Sequence, residues 1–107
     1  MMKIKAGAIA SNRLEMIKPR KAVEHIFNSH GFDFWLTSGM DGSHGAGSLH
    51  YAGYAEDYDS SDHISDEIGK QIEAEVFEKI YDRRYDIIWH YGHLHVEYDP
   101  SEFGKYK

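Results

Sequence analysis

The 107-residue sequence predicts one α+β domain, with a mainly antiparallel sheet and two main helices at about residues 19–30 and 65–83. Apolar residues recur at helical spacing in two separated segments, strand-like runs stand between and after them, and the last two runs are divided only by Tyr91-Gly92. Strands separated by helices and closed by a hairpin make an α+β arrangement. A chain of this length supports a single hydrophobic core, so residues 1–107 are expected to form one domain.

A short strand is expected within residues 2–9. Pro19 suits the first turn of a helix. Ala22, Val23, Ile26 and Phe27 continue it with a common apolar side, and Gly31 offers the stop. Residues 32–37 read as a buried, aromatic-rich strand, followed by a loop over 38–48 carrying Gly39, Gly42, Gly45 and Gly47. A second strand is expected over 54–59. Ser65 then caps the long helix, with Asp66 and Glu67 where the dipole favours acids. Its stripe of Ile68, Ile72, Val76, Phe77 and Ile80 is core, and Arg83-Arg84 are expected at its cation-favouring end. Residues 85–90 and 93–99 complete the sheet.

Composition narrows the chemistry. With no cysteine, a metal here must be bound by imidazole and carboxylate. A formal charge of −6 argues against nucleic acid or an anionic membrane as partner. The amino-terminal stretch lacks the apolar core of a secretory signal and no run is long enough to span a membrane, so the protein is expected to be cytoplasmic when synthesised. Five of the eight histidines, His44, His50, His90, His93 and His95, lie in two short segments.

In the second segment, strand alternation puts His93, His95 and Glu97 on one face and Leu94, Val96 and Tyr98 on the other. A His-x-His pair alone fits a metal site or merely solvated histidines. In the first segment, SLHYAGYAED over residues 48–57, His50 and Asp57 are seven apart, which on a flat strand aims them at opposite faces. Gly53 supplies the turn between them, and the small Ala55 leaves room beside Asp57. Alone, this segment reads equally as a tyrosine-rich strand. Together the two segments provide two imidazoles, a carboxylate and an open position, the donor set of catalytic zinc.

Residues 48–57 resemble the S-x-H-x-x-G-x-A-x-D motif of the zinc D-Ala-D-Ala metallopeptidases (peptidase family M15) and of the hedgehog signalling domain. His93-Leu94-His95 is similar to the H-x-H motif closing the same site, and Thr37-Ser38-Gly39 looks like the strand end that precedes it. The resemblance spans roughly residues 32–98. It implies a hedgehog/DD-peptidase-like fold and a Zn2+ ion held by His50, Asp57 and His95. His93, His90 and His44 become the candidate catalytic residues: His93 beside the ligand pair, His90 as an alternative proton carrier, and His44 six residues ahead of the first ligand, as in hedgehog domains. The implied reaction is hydrolysis of peptidoglycan stem peptides, at a D-Ala-D-Ala end or an L-Ala-D-Glu-type bond, by water whose pKa the zinc lowers to about 7. The missing signal resembles a phage-encoded enzyme that reaches the cell wall on lysis.

Two departures qualify that expectation. The family carries a Glu a few residues before the final ligand pair, where this chain has Trp89-His90-Tyr91-Gly92. Carboxypeptidase members place an Arg after the T-S-G turn, where this chain has Met40-Asp41-Gly42-Ser43. The alternative is therefore a catalytically inactive zinc-binding interaction module. Glu97 is expected on the metal-facing side of its strand but beyond the ion. Trp35 and Trp89 are expected in the core. Tyr51, Tyr54 and Tyr58 read as half-buried strand residues or a cleft lining, and the acids Glu56, Asp57, Asp59 and Asp62 as a solvated turn.

Overall fold

The computed structural model describes residues 1–40 and 53–99. In chain order it forms β1 (Met2–Ile4), α1 (Leu14–Ser29), β2 (Phe34–Ser38), β3 (Ala55–Asp59), α2 (Asp66–Ile80), β4 (Tyr85–His90) and β5 (His93–Tyr98). The five strands make one mixed sheet in the order β1-β2-β3-β5-β4. The class is α+β as expected. The sheet is not purely antiparallel, because β1 and β2 pair in parallel with α1 as the crossover between them.

α1 starts five residues before Pro19, which lies inside the helix rather than in its first turn. The extra turn is held by Met16, which is fully buried, and by the Arg13 carbonyl accepting from the backbone of Met16 and Ile17. The cap residue Arg13 makes no side-chain cap bond, so the boundary has no sequence signature. Gly31, just past the end, takes φ +81°, as a glycine stop requires.

α2 begins as expected, with Ser65 Oγ accepting from the Ile68 N–H at 3.2 Å. It stops at Ile80, three residues short of the expected end, with Tyr81 in the left-handed region at φ 50°. Arg83 and Arg84 therefore lie beyond the helix, and Arg84 clasps Asp82 at 2.6 Å instead. Phe77 leaves the expected stripe and is exposed, while Ile72 and Val76 are fully buried.

Both helices contact strands, and one core collects Val23 and Phe27 from α1, Ile72 and Val76 from α2, and Phe34, Leu36, Tyr58, Trp89, Leu94 and Val96 from the sheet. Burying each large apolar side chain contributes about 1.5–3 kcal/mol. α2 also shields the β4 edge: Glu73 Oε1 accepts the Trp89 backbone N–H at 2.7 Å. Gly69 is required there, because a Cβ would overlap the Trp89 indole. Trp89 is core as expected, whereas Trp35 is only partly buried and bonds Asp33 through Nε1 at 2.9 Å.

The acidic run is not a solvated turn. Glu56, Asp57 and Asp59 lie in β3, with Glu56 completely buried, whereas Asp62 is exposed in a bend past the strand as expected. Arg20 holds Glu56 with two bonds, Nε to Oε1 at 3.0 Å and Nη2 to Oε2 at 2.7 Å. The Ser11 backbone N–H donates to Glu56 Oε2 at 2.7 Å, and the Tyr58 hydroxyl to Oε1 at 2.6 Å. Tyr58 is thus a core residue. Among the described residues, no helix is long and apolar enough to cross a membrane.

Candidate metal centre

β3 and β5 run antiparallel with Asp57 directly opposite His95. The pleat puts Ala55, Asp57 and Asp59 on one face of β3, and Glu56 and Tyr58 on the other. Along β5, His93, His95 and Glu97 join the Asp57 face, while Leu94 and Val96 enter the core beneath the helices. The polar row therefore stands on the side of the sheet away from the helical layer, partly open to solvent.

Three local devices fix the row. Gly53 takes φ +83°, supplying the expected turn into β3, and its carbonyl accepts from Ser11 Oγ at 2.7 Å. A bulge in β2 moves the pairing from Leu36–Tyr58 to Ser38–Asp57, and Thr37 Oγ1 donates to the Asp57 carbonyl at 3.2 Å. At the hairpin, Tyr91 and Gly92 both have positive φ, the twist that suits a two-residue connection.

Asp57 Oδ1 lies 2.7 Å from His95 Nδ1 and 3.7 Å from His93 Nε2. The other ring nitrogen of His95, Nε2, lies 2.7 Å from Glu97 Oε1. His90 is the cross-strand partner of His93, with ring centroids 5.0 Å apart, and stands 6.2 Å from the His95 ring. Four of the six residues singled out from sequence, Asp57, His90, His93 and His95, are thus brought together. His44 and His50 lie outside the described residues.

Burial works against a charged His95, but the hydrogen bonds to Asp57 and Glu97 outweigh it and raise its pKa to about 9. Partial desolvation of its ring by packed neighbours pushes the exposed His90 down, and the imidazoles of His93 and His95 push it further. Burial raises the Asp59 carboxyl on the same face, although the Ser60 backbone N–H and His93 oppose the shift.

A carboxylate oxygen and an imidazole nitrogen are the donor types that suit zinc. Two atoms on one such ion at about 2.0–2.1 Å each stand roughly 3.4 Å apart at a tetrahedral angle. The 2.7 Å separation is that of a hydrogen bond, so sharing an ion requires Asp57 and His95 to part by well under 1 Å. Among the described residues no three His, Asp or Glu side chains converge as a complete coordinating set. The pair fits the donor chemistry of two ligands, and a third must come from elsewhere.

The direct contact between Glu97 and His95 is one that sequence reasoning did not draw, having put Glu97 on this face but beyond the ion. The signal was present in the period of two that puts both on one face. Compared with models of known protein families the chain matches none, and no curated protein matches it.

Proposed function

We propose that this chain is a zinc-dependent peptidase of hedgehog/DD-peptidase-like fold, hydrolysing amide bonds in peptidoglycan stem peptides. One observation carries the reading. Asp57 and His95 come from two separate motifs and stand 38 residues apart in sequence, yet they are direct cross-strand partners with facing side-chain atoms 2.7 Å apart. In this reading His50, Asp57 and His95 hold the ion.

When bound, zinc supplies a Lewis acid that makes water nucleophilic near neutral pH and polarises a carbonyl. The chain's own residues do the rest. In this reading an extended peptide lies along the partly exposed face beside β5 and β4. His93, with Nε2 3.7 Å from Asp57 Oδ1, is placed to take a proton at that nitrogen and return it to the leaving amine. His90, whose pKa is lowered by desolvation of its ring and by the imidazoles of His93 and His95, offers a second acceptor. His44 is the remaining candidate on the glycine-rich loop.

A second reading is favoured by the 89–92 stretch. It brings no carboxylate to the site: Trp89 is buried in the core, and His90, Tyr91 and Gly92 are exposed. On that reading the chain is a zinc-binding interaction module without turnover. Protein prepared without a histidine tag, analysed for metal and then incubated with muropeptides, separates the two. The peptidase reading expects about one zinc per chain and new amino termini by mass spectrometry. Bound zinc without cleavage from pH 5 to 9 leaves the interaction module. Absence of zinc from a fully folded preparation, even after zinc is added, rules out both. Asp57→Ala or His50→Ala should abolish zinc retention, and unchanged stoichiometry would refute the ligand assignment.

A further inference from the structure

We infer that Glu97 is a positioning residue that fixes the ring of His95, so that Nδ1 rather than Nε2 faces Asp57 and the metal. The inference rests on the zinc reading above. An imidazole that binds a metal is neutral: one nitrogen presents its lone pair, and the other carries a proton that needs an acceptor. In this chain the two nitrogens have distinct partners. Nδ1 faces Asp57 Oδ1 at 2.7 Å, and Nε2 faces Glu97 Oε1 at 2.7 Å.

The sheet explains why Glu97 has this duty. It stands two residues from His95 on the same face of β5, so the pleat holds both side chains side by side. Across the sheet, His95 is flanked by Asp57 on β3 and by Ile88 on β4, and the aliphatic Ile88 offers no acceptor. Opposite Glu97 on β3 stands Ala55, too small to block its carboxylate. Glu97 and His95 are both only partly exposed, at 25% and 17% of their side-chain surface, so solvent weakens their contact less than it would on an open surface. A carboxylate on the outer nitrogen raises ligand basicity and removes the rotational freedom that would otherwise be lost on binding.

The test is zinc affinity of the full chain, measured by competition with a chromophoric chelator for the unaltered protein, Glu97→Ala and Glu97→Gln. Circular dichroism of each zinc-free form confirms folding. Glu97→Ala should weaken zinc binding about 10–100-fold. Glu97→Gln keeps an oxygen acceptor without the charge and should recover most of that loss. Nitrogen-15 NMR of the zinc-loaded unaltered protein should show His95 protonated at Nε2. Affinity of folded Glu97→Ala within about twofold of the unaltered chain would overturn the inference, as would equal losses in the two variants or a proton on Nδ1. Those results leave the zinc reading intact. Failure of the unaltered chain to bind zinc would defeat both.

Discussion

The hydroxyl of Tyr85 donates to the backbone carbonyl of Glu15 at 2.7 Å, bridging β4 to the first turn of α1. Glu15 lies four residues before Pro19, which has no N–H to return to that carbonyl. The tyrosine therefore supplies the hydrogen bond that the proline withholds, which is how a proline is accommodated inside this helix. Tyr85 is only 8% exposed, and burial together with the nearby Asp82 raises its pKa to about 12, so it remains a donor at any physiological pH.

Tyr85→Phe should therefore destabilise the protein by about 0.5–1.5 kcal/mol, read as a lower urea midpoint. In a Pro19→Ala background the helix regains its own donor, so the same change should cost markedly less. Equal costs in the two backgrounds would mean that the tyrosine and the proline are not coupled.

Arg20 and Glu56 form a pair that cannot be half removed. Glu56 is completely buried and the Arg20 side chain is 15% exposed. Arg20→Ala strands a carboxylate in the core beside Tyr58, and should cost about 3–5 kcal/mol in chemical denaturation. A loss below about 1 kcal/mol would show that water reaches Glu56.

Gly69→Ala tests the contact between α2 and Trp89. Helix propensity alone favours alanine by about 1 kcal/mol. The added Cβ would overlap the indole, whose Nε1 is also tied to Asp66 at 3.2 Å, so the ring has little room to retreat. Overpacking of this kind costs about 1–3 kcal/mol. A lower melting temperature and a shifted tryptophan emission are expected, and a rise in melting temperature would show that the ring moves freely.

The pKa of His95 gives a pH dependence with a definite sign. Its value rises from the ordinary imidazole value of about 6.5 to about 9 in the folded, metal-free chain. The stabilising contribution is therefore complete below about pH 6.5 and is lost as pH climbs through about 9. Urea unfolding of chelator-treated protein at pH 6, 7.5 and 9.5 should show falling stability from this group. His95→Gln should flatten that part of the profile, and an unchanged slope in the variant would assign it to another residue. If the chain holds zinc as proposed, the ion must displace the same proton, so its affinity should increase over this range.

The parts of the fold that were legible in the sequence are those governed by short-range periodicity. Alternation along 93–98 put two imidazoles on one face and Leu94 and Val96 on the other, which is the observed arrangement. Ser65 was recognisable as a cap because its side chain performs the bonding itself. The start of α1 was not legible, since Arg13 offers no cap and Pro19 is tolerated through Tyr85, 66 residues away in sequence. Glu56 looked like a surface acid because its partner lies on another element. The parallel pairing of β1 likewise depends on a tertiary crossover that no local pattern encodes. At the site, facing was readable but side-chain contact was not: Glu97 is expected from sequence on the His95 face and beyond the ion, and its 2.7 Å contact with His95 Nε2 depends on side-chain geometry that no local pattern encodes.

The alternation within β5 makes its odd- and even-numbered positions almost independent. Substitutions at 93, 95 and 97 can rewrite chemistry while the interior built on 94 and 96 stays closed. Length is another matter. One residue inserted between His93 and Leu94 would turn the aliphatics beyond it out into water and drive His95 under the helices, undoing the interior and the Asp57–His95 contact at a stroke.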